Sequence, residues 1–80
     1  MNRESLERHL ACVDHEIART EQHLRRQHEL IAKLEGCGED AAEARSVLAA
    51  MEGSQALRLA DRELFRQELA LFRQRLKKIW

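Results

Sequence analysis

The sequence predicts an all-α protein: an antiparallel helical hairpin of two long helices, dimerising into a four-helix bundle. Three observations point there. Apolar residues recur at alternating spacings of three and four along nearly the whole chain. One break, "LEGCGEDAAEAR" from Leu34 to Arg45, divides that pattern into two similar lengths. The second half then carries an additional apolar stripe that a single partner helix cannot cover.

The first helix is expected over about residues 3–35. Leu6, Leu10, Val13, Ile17, Thr20, Leu24, Gln27, Ile31 and Leu34 form the seam of a helix packed lengthwise on another. Ala11, Ala18 and Ala32 make a flanking row of small residues. Such a row either admits a close helix or is simply a solvated face of good helix formers. The turn is expected at residues 36–39. Gly36 stands just past the last seam residue, where a glycine with positive φ stops a helix. Asp40 and Glu43 resemble a capping box and place two carboxylates at the positive end of the next helix dipole. The stretch around Cys37 therefore reads as a stop, a turn and a restart, and no histidine neighbours Cys37 in sequence to activate it as a nucleophile.

The second helix is expected over about residues 40–78, on the seam Ala44, Leu48, Met51, Gln55, Arg58, Arg62, Phe65, Leu69, Phe72, Leu76 and Ile79. Gly53-Ser54 interrupts it, and glycine costs about 1 kcal/mol in a helix interior, so a three-helix fold broken there is the alternative. At about 1.5 Å per residue each unbroken helix extends some 50 Å or more, and two matched rods favour the hairpin. Folding back around Cys37 brings Thr20 to Ser54 or Gln55, and Asp14 or Glu16 near Arg58 and Arg62. It also lays Glu4 and Glu7 beside the basic end of the second helix, where exposed pairs contribute only ~0–1 kcal/mol each.

Ala50, Leu57, Leu64 and Leu71 repeat every seven residues beside this second seam. Two cylinders touch along one line, so Leu57, Leu64, Leu71 and parts of Phe65 and Phe72 stay outside a lone hairpin. These five form the expected interaction surface, and a second copy is the expected partner. With 80 residues, one small domain is the ceiling, in the range where a single core is marginal without help.

The chain has equal numbers of acids and bases, but they are polarised: residues 1–40 hold six Lys/Arg against nine Asp/Glu, and residues 64–80 hold five against one. No apolar run reaches the roughly 18 residues of a membrane span, and Met1-Asn2-Arg3-Glu4 resembles no leader peptide, so an integral membrane protein is not expected and the cytoplasm is. Two cysteines make neither a disulfide framework nor a zinc ribbon, and Cys12 and Cys37 lie about 37 Å apart along one rod.

Other chemistries leave thinner traces. His9, Cys12 and Glu16 share a helix face, with His15 beside them, and nitrogen, thiolate and carboxylate there make metal binding an alternative. Scattered histidines at His9, His15, His23 and His28 more often mark solvated helix positions, and no metal or other cofactor is expected. Arg19, Arg25, Arg26 and Lys33 are interleaved with Glu16, Glu21, Glu29 and Glu35, and a chain without tyrosine offers little to stack bases on, so nucleic acid is not expected. "LFRQELALFRQRLKKIW" is a basic amphipathic end, with Arg66, Arg73, Arg75, Lys77 and Lys78 beside Ile79 and Trp80, suited to a partner groove or to peripheral contact with an anionic membrane, and a peripheral membrane or nucleic-acid adaptor using this end is a further alternative function. Catalysis is not expected. There is no phosphate loop, nucleophile elbow or pair of carboxylates facing a cleft, and a bundle this thin has little room for a pocket of about 300 Å³ or more.

Six motifs carry a resemblance: His15 to Ala18, Arg26-Gln27, Leu30 to Glu35, Gly38 to Asp40, Glu43 to Arg45, and Gln55 to Arg62. In these the chain resembles short, uncharacterised helical-hairpin proteins of alphaproteobacteria, over about three fifths of its length. The resemblance implies a bacterial, intracellular hairpin and brings no established activity; the tail ending in Lys77-Lys78-Ile79-Trp80 departs from it. The function expected is a non-enzymatic interaction or scaffold protein, acting through homodimerisation and binding of a partner helix.

Overall fold

The structure, a computed structural model, describes residues 2–79, and side chains as far as residue 76. Two helices, α1 (Arg3–Gly36) and α2 (Ala42–Ile79), pack antiparallel into a rod of 66 × 16 × 15 Å. Its radius of gyration is 18.5 Å, against about 12 Å for a compact chain of this length. The rod shape follows from helices of 34 and 38 residues that share one line of contact.

That line is the predicted seam. All nine seam positions of α1 are buried or half-buried, with Leu6, Ile17 and Ile31 the most enclosed. On α2 the series from Ala44 to Phe72 is likewise covered. Leu76 continues the series yet is 42% exposed, because Leu6 already lies beside Leu71, Phe72 and Arg75 and α1 begins less than one turn further on. Ile79, the last expected seam residue, lies outside the described side chains. Among the described residues, the one cluster of buried apolar residues sits at the corner, where Ile31, Ala41 and Ala44 pack with Leu34 and Leu48. α2 runs unbroken through Gly53-Ser54, which removes the three-helix alternative.

The corner differs from expectation in one respect. Gly36 is the last helical residue of α1, and the glycine with positive φ, 72°, is Gly38. Gly38 N–H donates to the Glu35 carbonyl at 3.1 Å and Glu39 N–H to the Leu34 carbonyl at 2.8 Å, the paired bonds of a Schellman stop with Cys37 as cap. The restart also comes later than residue 40. Asp40 Oδ1 accepts from Ala42 N–H at 2.9 Å, and the first α-helical bond of α2 runs from Arg45 N–H to the Ala41 carbonyl at 2.9 Å. Glu35 and Arg45 form an ion pair across the turn. At the other end Asn2 caps α1, its Oδ1 accepting from Ser5 N–H at 2.8 Å.

Polar groups set the register. Gln27 Nε2 donates to the Ala44 carbonyl at 2.8 Å, and Gln55 Nε2 to the Ile17 carbonyl at 3.0 Å. Thr20 meets neither Gln55 nor Ser54 through a hydrogen bond; the long side chain of Arg58 reaches its Oγ1 at 3.0 Å. Asp14 and Arg62 pair at 3.6 Å, as expected. Glu7 instead pairs with Arg3 on its own helix at 3.1 Å, and among the described residues no ion pair joins the start of α1 to the end of α2. Ala11, Ala18 and Ala32 are exposed, so that row is a solvated face.

Two measurements test this account. Nothing lies within 4 Å of a Cβ added at Gly36 or Gly38, so alanine there probes the backbone alone. Gly38→Ala is expected to lower stability by about 1 kcal/mol and Gly36→Ala to leave it unchanged or raise it by up to about 1 kcal/mol, both read by urea denaturation. Gln55 is 6% exposed and its Oε1 has no partner. Gln55→Leu is therefore expected to raise stability by about 1 kcal/mol, seen as a higher urea midpoint at unchanged slope.

Candidate interaction surface

The two flanks of the seam differ. On one flank Asp14 and Glu35, three heptads apart on α1, reach across to Arg62 and Arg45. The opposite flank carries open troughs instead. Near the turn, a trough of about 380 Å³ is lined by Leu30, Leu34, Glu43 and Val47 among others. In the middle, one of about 350 Å³ is lined by Thr20, His23, Ala50, Met51, Ser54 and Arg58. At the open end, one of about 390 Å³ lies between Leu6 and Leu64, Phe65, Glu68, Leu71 and Phe72. Beside the seam residues, the troughs are lined on α2 by Glu43, Val47, Ala50 and Ser54 and by Leu64, Glu68 and Leu71, each series at spacings of three and four, so the troughs follow one side of the helix.

These volumes correct the expectation that so thin a bundle has little room for a pocket of about 300 Å³. They are surface troughs open to solvent.

All five residues of the expected surface line or border this flank. Leu57 is 71%, Leu64 60% and Leu71 47% exposed, while Phe65 and Phe72 are half-buried in the seam. Phe65 stacks on the His9 ring with centroids 5.9 Å apart, and Arg75 lies over the Phe72 ring at 6.0 Å. Sequence spacing did not indicate the His9–Phe65 pair, since it joins two helices; the cross-hairpin register locates it once the turn is known.

The rod exposes more surface than its mass warrants. Its accessible area is 6277 Å², against about 5,000 Å² for a compact 9.3 kDa protein, an excess of about 1,300 Å². Stable protein interfaces cover ≈ 800 Å² or more per partner, so the excess is large enough for one.

The remaining chemistry is sparse. His9 and Cys12 are exposed, Glu16 approaches Arg19 at 3.8 Å, and among the described residues no group of three or more His, Cys, Asp or Glu is disposed to hold a metal. Both cysteines are free. His23 and Ser54 share the middle trough, but among the described residues no hydrogen bond couples them as base and nucleophile. Arg66, Arg73 and Arg75 are exposed near the end of α2, whereas the side chains of Lys77, Lys78 and Ile79, and all of Trp80, lie outside the described residues. Among the described residues no helix is long and apolar enough to cross a membrane. Compared with protein-family models, with characterised proteins and with solved structures, the chain gives no match.

Proposed function

We propose that the protein is a non-enzymatic helical interaction and scaffold protein that works as a homodimer, two hairpins combining into a four-helix assembly. The observation that carries this reading is the stripe of Leu57, Leu64 and Leu71, exposed along one side of α2. Apolar surface of this extent is costly in water at about 25 cal/mol per Å², and burying it against a second chain removes that cost. A net charge of zero adds no long-range repulsion between copies.

The troughs beside the stripe suit the second part of the proposal, binding of a partner helix. At the open end the trough is largely apolar and rimmed by Glu68 and Arg75, the arrangement in which an amphipathic helix is held by its apolar residues and oriented by charges. The resemblance to short alphaproteobacterial hairpins supports a bacterial, cytoplasmic setting.

Sedimentation equilibrium at micromolar concentration is expected to give twice the 9.3 kDa chain mass. Leu57→Asp/Leu64→Asp is expected to weaken association by about 100-fold or more, corresponding to ~3 kcal/mol of lost apolar burial and added charge desolvation. A wild-type chain that stays monomeric and unfolds cooperatively at tens of micromolar, or a double variant that dimerises as tightly as wild type, overturns the reading.

A further inference from the structure

We infer that α2 packs against α2 of a second copy, antiparallel, leaving the two α1 helices on the outside of the assembly. This rests on the homodimer reading and specifies which surfaces meet and in what register.

The choice of helix follows from symmetry. A two-fold interface uses the same patch on both chains, so the patch must complement itself. Among the described residues α1 exposes one large hydrophobic side chain, Leu30, whereas α2 exposes Val47, Leu57, Leu59, Leu64, Leu71 and Leu76. Only α2 offers apolar surface over enough of its length to meet its own copy.

The direction follows from helix geometry. Leu57, Leu64 and Leu71 each stand two residues after a seam residue, Gln55, Arg62 and Leu69. At about 100° per residue, that places the stripe roughly 130° from the middle of the seam. Leu57 is the most exposed of the large apolar side chains, while Leu64 and Leu71 border the trough that Leu6 of α1 also lines. A partner lying on the stripe touches α2 first.

The register follows from side-chain size. Ala50, Gly53, Leu57, Ala60, Leu64, Gln67, Leu71 and Gln74 alternate at spacings of three and four, a second seam on the outer side of α2. In an antiparallel pair centred near Arg62, Leu64 meets Ala60 of the partner subunit and Leu71 meets Gly53 of the partner subunit. Leu57 then lies over the stem of Gln67 of the partner subunit. In the layers of Leu64 and Leu71 a large residue opposes a small one, which is how facing helices fill space. A parallel pair opposes leucine to leucine and leaves hollow layers at residues 53 and 60. Gly53 adds an independent point: a Cβ there meets nothing within 4 Å, so nothing inside one hairpin calls for glycine in the middle of a long helix.

Cysteine cross-linking of the full chain tests the arrangement. In a Cys12→Ser/Cys37→Ser background, Gly53→Cys and Leu71→Cys are prepared separately, then oxidised alone and as a mixture. The mixture is expected to form the disulfide-linked pair at least about tenfold faster than either variant alone, as the distance limits of a disulfide require. Gly53→Leu, whose Cβ meets nothing within 4 Å in the hairpin, is expected to weaken association by about tenfold or more without loss of helicity, because the larger side chain overfills its layer. Rapid coupling of Gly53→Cys to itself and Leu71→Cys to itself overturns the antiparallel register while leaving the homodimer in place. A sedimenting dimer with no cross-link in any sample, or one that Gly53→Leu leaves as tight, overturns α2 as the interface. A wild-type monomer removes both this inference and the reading beneath it.

Discussion

The structure depends on a single geometric constraint: two helices of 34 and 38 residues meet along one line. Each helix can bury one stripe there and no more. The consequence is visible throughout the rod, where the buried apolar positions are few and most seam residues remain half-covered. Only at the corner does the connecting chain add a third wall. Ala41 closes over Ile31 and Ala44 there, and the three make the one cluster of buried apolar residues among those described. Away from it, Leu6, Ile17 and Leu69 are buried singly and the other apolar seam side chains from Leu10 to Phe72 are half-covered.

A seam built only of leucine and isoleucine would tolerate sliding by a heptad, since every layer would look alike. The polar layers remove that freedom. Gln27 with Ala44, Gln55 with Ile17, Arg58 with Thr20, and Arg62 with Asp14 occur at distinct heights along the rod, and a slip of one heptad separates all of them. The cost appears at Gln55, whose amide nitrogen is satisfied while its oxygen is enclosed without a partner. Register is thereby specified at some expense of stability, which a thin rod can tolerate only if stability is supplied elsewhere.

Much of this was legible from spacing alone. The alternation of three and four from Leu6 to Leu34 and from Ala44 to Phe72 corresponds position by position to the covered face, because a long straight helix leaves local periodicity little tertiary context to override it. Leu57, Leu64 and Leu71 were legible as outward-facing for the same reason. The corner was harder. Gly36 and Gly38 are the same residue type two positions apart, and what distinguishes them is which one lets the following N–H reach back to the Leu34 carbonyl. Asn2 carried a readable capping signal that the seam pattern does not use. The trough volumes and the His9–Phe65 stack depend on how side chains of both helices settle against each other, and neither helix read singly contains that information.

The corner and the open end are held by contacts of different sequence range. Contacts at the corner join residues close in sequence, so loop closure there costs little and the Schellman stop, the Asp40 cap and the Ile31 cluster form together. Towards the open end the same two helices must be held over sequence separations of 38 residues and more, by layers that include Gln55 and Arg58 and by half-buried phenylalanines. That end is also where Leu64 and Leu71 are exposed and α2 outruns α1. In the proposed dimer a second chain on the outer side of α2 adds apolar burial at that end. Association in the proposed dimer stabilises the distal half by mass action and links its folding to the concentration of the protein itself.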